Sequence, residues 1–211
     1  MPIKSDREYR AFEVRALENE GRKVVKGYAT TFNTPYTLYS DNEYELREVV
    51  NENAFDECDM SDVIMQYNHE GRVFARNTNG TLELTIDKPN GLLTLGDLGG
   101  TTLGLQVYEE INGGYTDKMS MGFKVDRSAD VWTREQIDGK VTETRFINKI
   151  TKLYDVSAVS IPANNQTSIE AISVRALVDG AIDQLRAERL EAEKLELERK
   201  RALVKARLME D

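Results

Sequence analysis

The chain has 211 residues, of which 40% are hydrophobic and 31% charged. That suffices for one sizeable core plus an appendage. A formal net charge of −9 argues against binding a phosphate backbone as the main task. With one cysteine and one histidine, an internal disulfide and a multi-histidine zinc site are excluded. No loop shows the ligand pattern of a carboxylate metal site, so no cofactor is expected. No run of about 18 apolar residues points to a membrane span, and MPIKSDREYR lacks the apolar centre of a secretory signal.

In chain order, RAFEVRA (10–16) and KVVKGYATTFN read as two strands joined by the turn LENEGR, with Gly27 expected at a bulge or close approach. NTPYTLYSDNE reads as a loop and YELREVV as a strand. NENAFDECDM predicts a short helix capped by Asn51 or Asn53. SDVIMQYNHE predicts a strand ending at His69. A meander follows, with turns at Thr78-Asn79-Gly80 and Pro89-Asn90-Gly91. TTLGLQVYEEINGG predicts a helix capped by Thr101 or Thr102, with Leu103, Val107 and Ile111 on its apolar face and Gly113-Gly114 ending it. TDKMSMGF is a strand, VDRSADVWTREQIDGKVTETRFINKI a polar hairpin, and LYDVSAVSIPANN a strand closed at Pro162. Many short strands with two short helices predict a mainly β, α+β fold, a small barrel or sandwich decorated with helices. From about residue 176 the composition turns to Ala, Leu, Glu, Lys and Arg, which predicts a charged helical tail over 176–211. Its seven-residue repeat places Lys194 and Arg201 in the second seam position, so the pattern does not make a strong coiled coil.

In TDKMSMGF, alternation hides Met119, Met121 and Phe123 and sets Lys118, Ser120 and Gly122 on the opposite face. Gly122 there allows another chain to come close. Ser120 is then either a nucleophile beside a peptide groove or an ordinary solvent-facing serine, and spacing alone does not choose. Cys58 lies among acids in FDECDM, which disfavours its thiolate and marks it as inert.

Three blocks together decide more than each alone: MQYNHE (65–70), the helix and turn leading to MSMGF (101–123), and LYDVSAVSIPAN (153–164), supported by KGYATTFN and NAFDE. Over roughly residues 10–175 their order resembles the prohead maturation proteases of tailed bacteriophages, a family thought to be related in fold to the herpesvirus assembly proteases. The resemblance implies a closed or partly closed β-barrel of that type over 1–175. It implies a serine endopeptidase with Ser120 as nucleophile, His69 as general base and Asp155 as the acid that orients the histidine. The phage family more often shows Glu at that place, and Glu70 is the rival acid. Gly122 is expected to keep the substrate's approach open. The implied partners are the major capsid protein and scaffold segments, cut inside the procapsid in the host cytoplasm, with self-cleavage and homodimers or higher oligomers. Neither nucleic acid nor membrane is expected as a partner. The competing expectation is an inactive relative that serves as scaffold or assembly chaperone through its terminal helix.

Overall fold

The computed structural model describes residues 8–19, 22–160 and some positions between 187 and 198. The chain divides into two compact units, Met1–Ala171 and Ile172–Asp211. In the second, the described residues between Ala187 and Glu198 are helical; the rest of the tail expected from residue 176 lies outside the described residues, as does the strand end expected at Pro162.

The first unit is built from two sheets. The larger contains β1 (Glu8–Asn19), β2 (Arg22–Thr31), β5 (Ile64–Tyr67), β6 (Glu70–Arg76), β7 (Leu82–Asp87), β8 (Gly91–Asp97), β9 (Lys118–Val125) and β12 (Ile150–Val159). Their order across the sheet is β6-β5-β12-β9-β1-β2-β8-β7. The smaller sheet has the order β10-β11-β4-β3, from β3 (Tyr36–Ser40), β4 (Tyr44–Val50), β10 (Val131–Ile137) and β11 (Lys140–Ile147). One helix, α1 (Thr102–Asn112), lies between β8 and β9. The core fills with the apolar sides of the strands: Val25, Leu92, Met119, Met121, Phe123, Leu153 and Val156 are fully buried.

The strands follow the alternation read in the sequence, but closure of the barrel does not. The ladder is open, with β6 and β7 as its two edges. Where these edges meet, the hydrogen bonds are spent on a turn. The Arg76 amide donates to Thr81 Oγ1 at 2.8 Å and the Thr81 amide to the Arg76 carbonyl at 3.2 Å, around a 3-10 turn over Asn77–Asn79. The sheet nevertheless curls over its core. A Cβ added at Gly96 on β8 would lie 2.7 Å from the sulfur of Met65 on β5, although four strands separate β5 from β8 in the sheet.

Three expectations for strands and turns are corrected. Residues 36–40 form β3 instead of a loop, because YTLYS has strand-forming residues that pair with β4 from Tyr36 opposite Glu48. NENAFDECDM is a series of turns and not a helix. Asn51 does start it, its Oδ1 accepting from the Asn53 amide at 2.9 Å. But the Ala54 carbonyl, which a helix would offer to Cys58, accepts instead from the Ile150 amide at 2.8 Å. Tertiary pairing has taken the acceptor that helix growth needs. The β2 bulge falls between Tyr28 and Thr30, two residues beyond Gly27.

In α1, Thr101 is the cap, its Oγ1 accepting from the Gly104 amide at 2.9 Å. Gly104, Val107, Tyr108 and Ile111 face the core, while Leu103 is exposed. Gly104 replaces the expected leucine because the helix start presses on the preceding loop: a Cβ there would sit 2.3 Å from the Leu98 carbonyl oxygen. Gly104→Ala therefore tests packing against propensity. Alanine gains about 1 kcal/mol in helix propensity, but the clash is with backbone, and overpacking costs about 1–3 kcal/mol. The expected result is a lower melting temperature in calorimetry; a rise would show that α1 shifts freely.

A buried polar cluster lies in the small sheet. The Arg145 guanidinium on β11 binds Asp130 Oδ2 through Nη2 at 2.7 Å and through Nε at 2.8 Å, and Glu48 Oε2 on β4 through Nη1 at 3.1 Å. The Tyr36 hydroxyl donates to the other oxygen of Glu48. All three charged side chains are at most 4% exposed.

Candidate active site

The central strands of the large sheet set two rows of residues across its non-core face. β9 runs antiparallel to both β1 and β12, and β5 runs parallel to β12. Gln66, Ser157, Ser120 and Ala11 occupy one register row. Ile64, Asp155, Gly122 and Tyr9 occupy the next. Residues opposite one another in a ladder point to the same face. Ser120, Ser157 and Asp155 thus share a face, and Gly122 sets no side chain beside the carboxylate.

A bulge makes this sharing possible. Leu153 pairs with Phe123, but the next pair is Asp155 with Gly122, leaving Tyr154 unmatched. Strict alternation would put Leu153 and Asp155 on one side. The extra residue reverses the parity: Leu153 goes to the core and Asp155 to the opposite face, a common use of bulges beside functional sites.

His69 reaches the same face from a turn. Tyr67 pairs with Glu70, so Asn68 and His69 are the two central residues of the β5–β6 hairpin, at φ values of 50° and 58°. Positive φ at both positions defines a type I′ turn, which ordinarily reads Asn-Gly. Histidine in the glycine position is strained. Two ties hold the turn to β12: the Asn68 amide donates to the Ala158 carbonyl at 2.9 Å, and the Ser160 amide donates to Asn68 Oδ1 at 3.0 Å. Thus the strand expected to end at His69 stops at Tyr67, and His69 lies two residues past it in the turn, folded back over β12.

There its Nδ1 lies 2.6 Å from Asp155 Oδ1. The histidine side chain is 12% exposed and the aspartate 1%. The Ser157 hydroxyl donates to the same Asp155 oxygen at 2.8 Å. Ser120 is 2% exposed, which removes the solvent-facing reading, and its Oγ makes no hydrogen bond among the described residues. The rival acid Glu70 is exposed at the start of edge strand β6. The Cys58 thiol donates elsewhere, to the Asp59 carbonyl. Burial first, and then the charge of Asp59, push its thiol up to about 12, so it stays protonated and inert in neutral solution.

Of the four expected site residues, the fold brings His69 and Asp155 into contact and puts Ser120 and Gly122 on adjoining register positions. Sequence reasoning missed Ser157. The signal was present, since Asp155 and Ser157 are two apart in a strand and so share a face.

Among the described residues there is no cluster of three or more potential metal ligands and no helix long and apolar enough to cross a membrane. His69 Nε2 and Ser120 Oγ are both buried and neither makes a hydrogen bond among the described residues, so the two are not joined in this structure. What a histidine–carboxylate pair can do chemically, once a serine hydroxyl reaches its other ring nitrogen, is accept the proton as that hydroxyl attacks an acyl carbon. The family comparison agrees with that class: the caudovirus prohead serine protease family matches residues 10–179. The chain belongs to this family, a family of serine peptidases of phage capsid maturation. No curated protein and no solved structure matches the chain.

Proposed function

We propose that the chain is the endopeptidase that cleaves scaffold and capsid-protein segments, and its own tail, while a phage procapsid matures. In this reading Ser120 attacks the scissile carbonyl. His69 takes the serine proton and passes it to the leaving amine, and Asp155 orients the imidazole and stabilises its charged form. Gly122, in the row beside Ser120, leaves room for the substrate backbone. The observation that carries the reading is the 2.6 Å contact between His69 Nδ1 and Asp155 Oδ1 on the face that also bears a buried Ser120. Two hydroxyls stand in the same row, and their bonding separates them. The Ser157 proton is committed to a carboxylate, whereas Ser120 has no such commitment.

At 2% exposure, Ser120 needs its cover displaced before a peptide can reach it, which agrees with a protease that is slow until concentrated with its substrates. The test is intact-mass analysis of the full chain with and without a serine-directed phosphonate. Wild type is expected to gain one adduct at Ser120 and to shorten from its C-terminal side over time. Ser120→Ala is expected to do neither. Shortening of Ser120→Ala at the wild-type rate, with contaminating proteases excluded, would overturn the assignment.

A further inference from the structure

The carboxylate that faces His69 is itself held by very little. Asp155 Oδ1 meets His69 Nδ1 at 2.6 Å and the Ser157 hydroxyl at 2.8 Å. Asp155 Oδ2 is buried and makes no hydrogen bond among the described residues. An aspartate carboxylate turns readily about its last torsion, which is broad and two-fold. Of the two groups that hydrogen-bond it among the described residues, one is the imidazole it must orient. That leaves Ser157 as the group that can fix the carboxylate independently of the histidine.

We propose that Ser157 is a positioning residue of this site, whose hydroxyl locks the Asp155 carboxylate so that Oδ1 meets His69 Nδ1. The inference rests on the catalytic reading for its consequence in rate, but not for its consequence in structure. Three features support it. Ser157 is fully buried, so its hydroxyl must find a partner inside the protein. The partner it has is the charged oxygen in the site, and hydrogen bonds to ionised acceptors are the stronger kind. Its rotamer is also supported from both sides, because Ser157 lies between Gln66 on β5 and Ser120 on β9 in the central strand of the three. The arrangement also answers how the shorter Asp serves where the resemblance leads one to expect Glu. The Tyr154 bulge and the I′ turn bring the two elements together, and Ser157 removes the remaining freedom of the short side chain.

The experiment compares Ser157→Thr, which keeps the hydroxyl, with Ser157→Val, which has the same shape without it, and with Ser157→Ala, which is smaller and fits if the branched residues do not. The rate of phosphonate labelling at saturation is read by intact mass, together with the phosphonate concentration at half-saturation. The expected result is a saturating rate about 10- to 100-fold lower in Ser157→Val and Ser157→Ala, as for outer partners that orient a reacting side chain. The half-saturation point is unchanged, and Ser157→Thr is restored to near wild type. An independent readout is the proton NMR signal of the histidine Nδ1–H. The chain has a single histidine, so the assignment is unambiguous. Loss of the serine hydroxyl is expected to shift or broaden that signal, and threonine to keep it. If folded Ser157→Ala labels at the wild-type rate with its histidine signal unmoved, the proposal is overturned. If wild type does not label at all, the catalytic reading fails instead, and the NMR comparison alone then decides whether Ser157 sets the geometry of the pair: an unmoved signal in Ser157→Ala overturns the proposal.

Discussion

Asp155→Asn is expected to slow phosphonate labelling of Ser120 by about ten-thousandfold, the scale of a wrong-tautomer lesion in a serine–histidine–acid triad. The physical sequence is short. With aspartate, Oδ1 accepts the proton of His69 Nδ1, so the opposite ring nitrogen carries a lone pair for the serine proton. An asparagine keeps the shape, but its two ends are no longer alike. His69 Nδ1 and the Ser157 hydroxyl both meet Oδ1, while Oδ2 has no partner among the described residues. The amide NH2 therefore takes the Oδ1 place, where its two protons find His69 Nδ1 and the Ser157 oxygen, and the carbonyl takes the unpartnered place. An NH2 group facing Nδ1 demands a lone pair there and moves the ring proton to Nε2, where it blocks acceptance from serine. Stability moves differently. The aspartate is 1% exposed, and replacing a buried charge with a neutral amide lowers its desolvation cost. The melting temperature is therefore expected to hold or rise while labelling collapses. A variant that labels within tenfold of wild type would show that another group orients His69.

Apart from β3, the strands and α1 were legible because their signals are local: period-two alternation, Gly-containing turns, and a threonine cap before an apolar helix face. The hairpin that carries His69 was half legible. Asn68-His69 stands where Asn-Gly is usual, so the text around it reads as a strand running into the histidine, and only the backbone shows a turn at φ 50° and 58°. What alternation could not supply was the parity reversal at Tyr154, since a bulge is a property of two strands and is written in neither alone. For the same reason the failed helix at 51–60 was unreadable: the Ala54 carbonyl is taken by Ile150, nearly a hundred positions away. Closure of the large sheet depends on the register of every pair at once, and the sequence shows no register. The candidate site was legible only through the three blocks taken together, since neither Ser120 nor His69 in its own strand context chooses between a reactive and an ordinary residue. Ser157 was hidden by its ordinariness: a buried serine is informative only once its partner is seen.

The charged residues of the small sheet were the least readable part, and they carry the largest expected effect on stability. Arg145→Met is expected to destabilise the protein by about 3–5 kcal/mol, the cost of breaking a buried ion pair from one side. In sequence, TETRF and YELREVV look like solvated strands. In the fold, β11 and β4 pair in parallel with Arg145 opposite Glu48, and Asp130 closes on the guanidinium from the turn before β10. Glu48 is fully buried, and Asp130 is 3% exposed. Removing the cation leaves two carboxylates in the interior facing the space it occupied, with the Tyr36 hydroxyl still bound to one of them. For a domain of this size, each kcal/mol lowers the melting temperature by about 2–4 °C, so the expected fall is about 10 °C in calorimetry. Arg145→Lys is expected to lose part of that, because one ammonium cannot present the planar fork that meets both acids. The decisive comparison adds Glu48→Gln and Asp130→Asn to Arg145→Met. If the cost comes from stranded charge, the triple variant recovers most of the loss even though more contacts have been removed. Should it instead melt lower than Arg145→Met alone, the cluster stabilises by its hydrogen bonds and packing, and the charge argument is wrong.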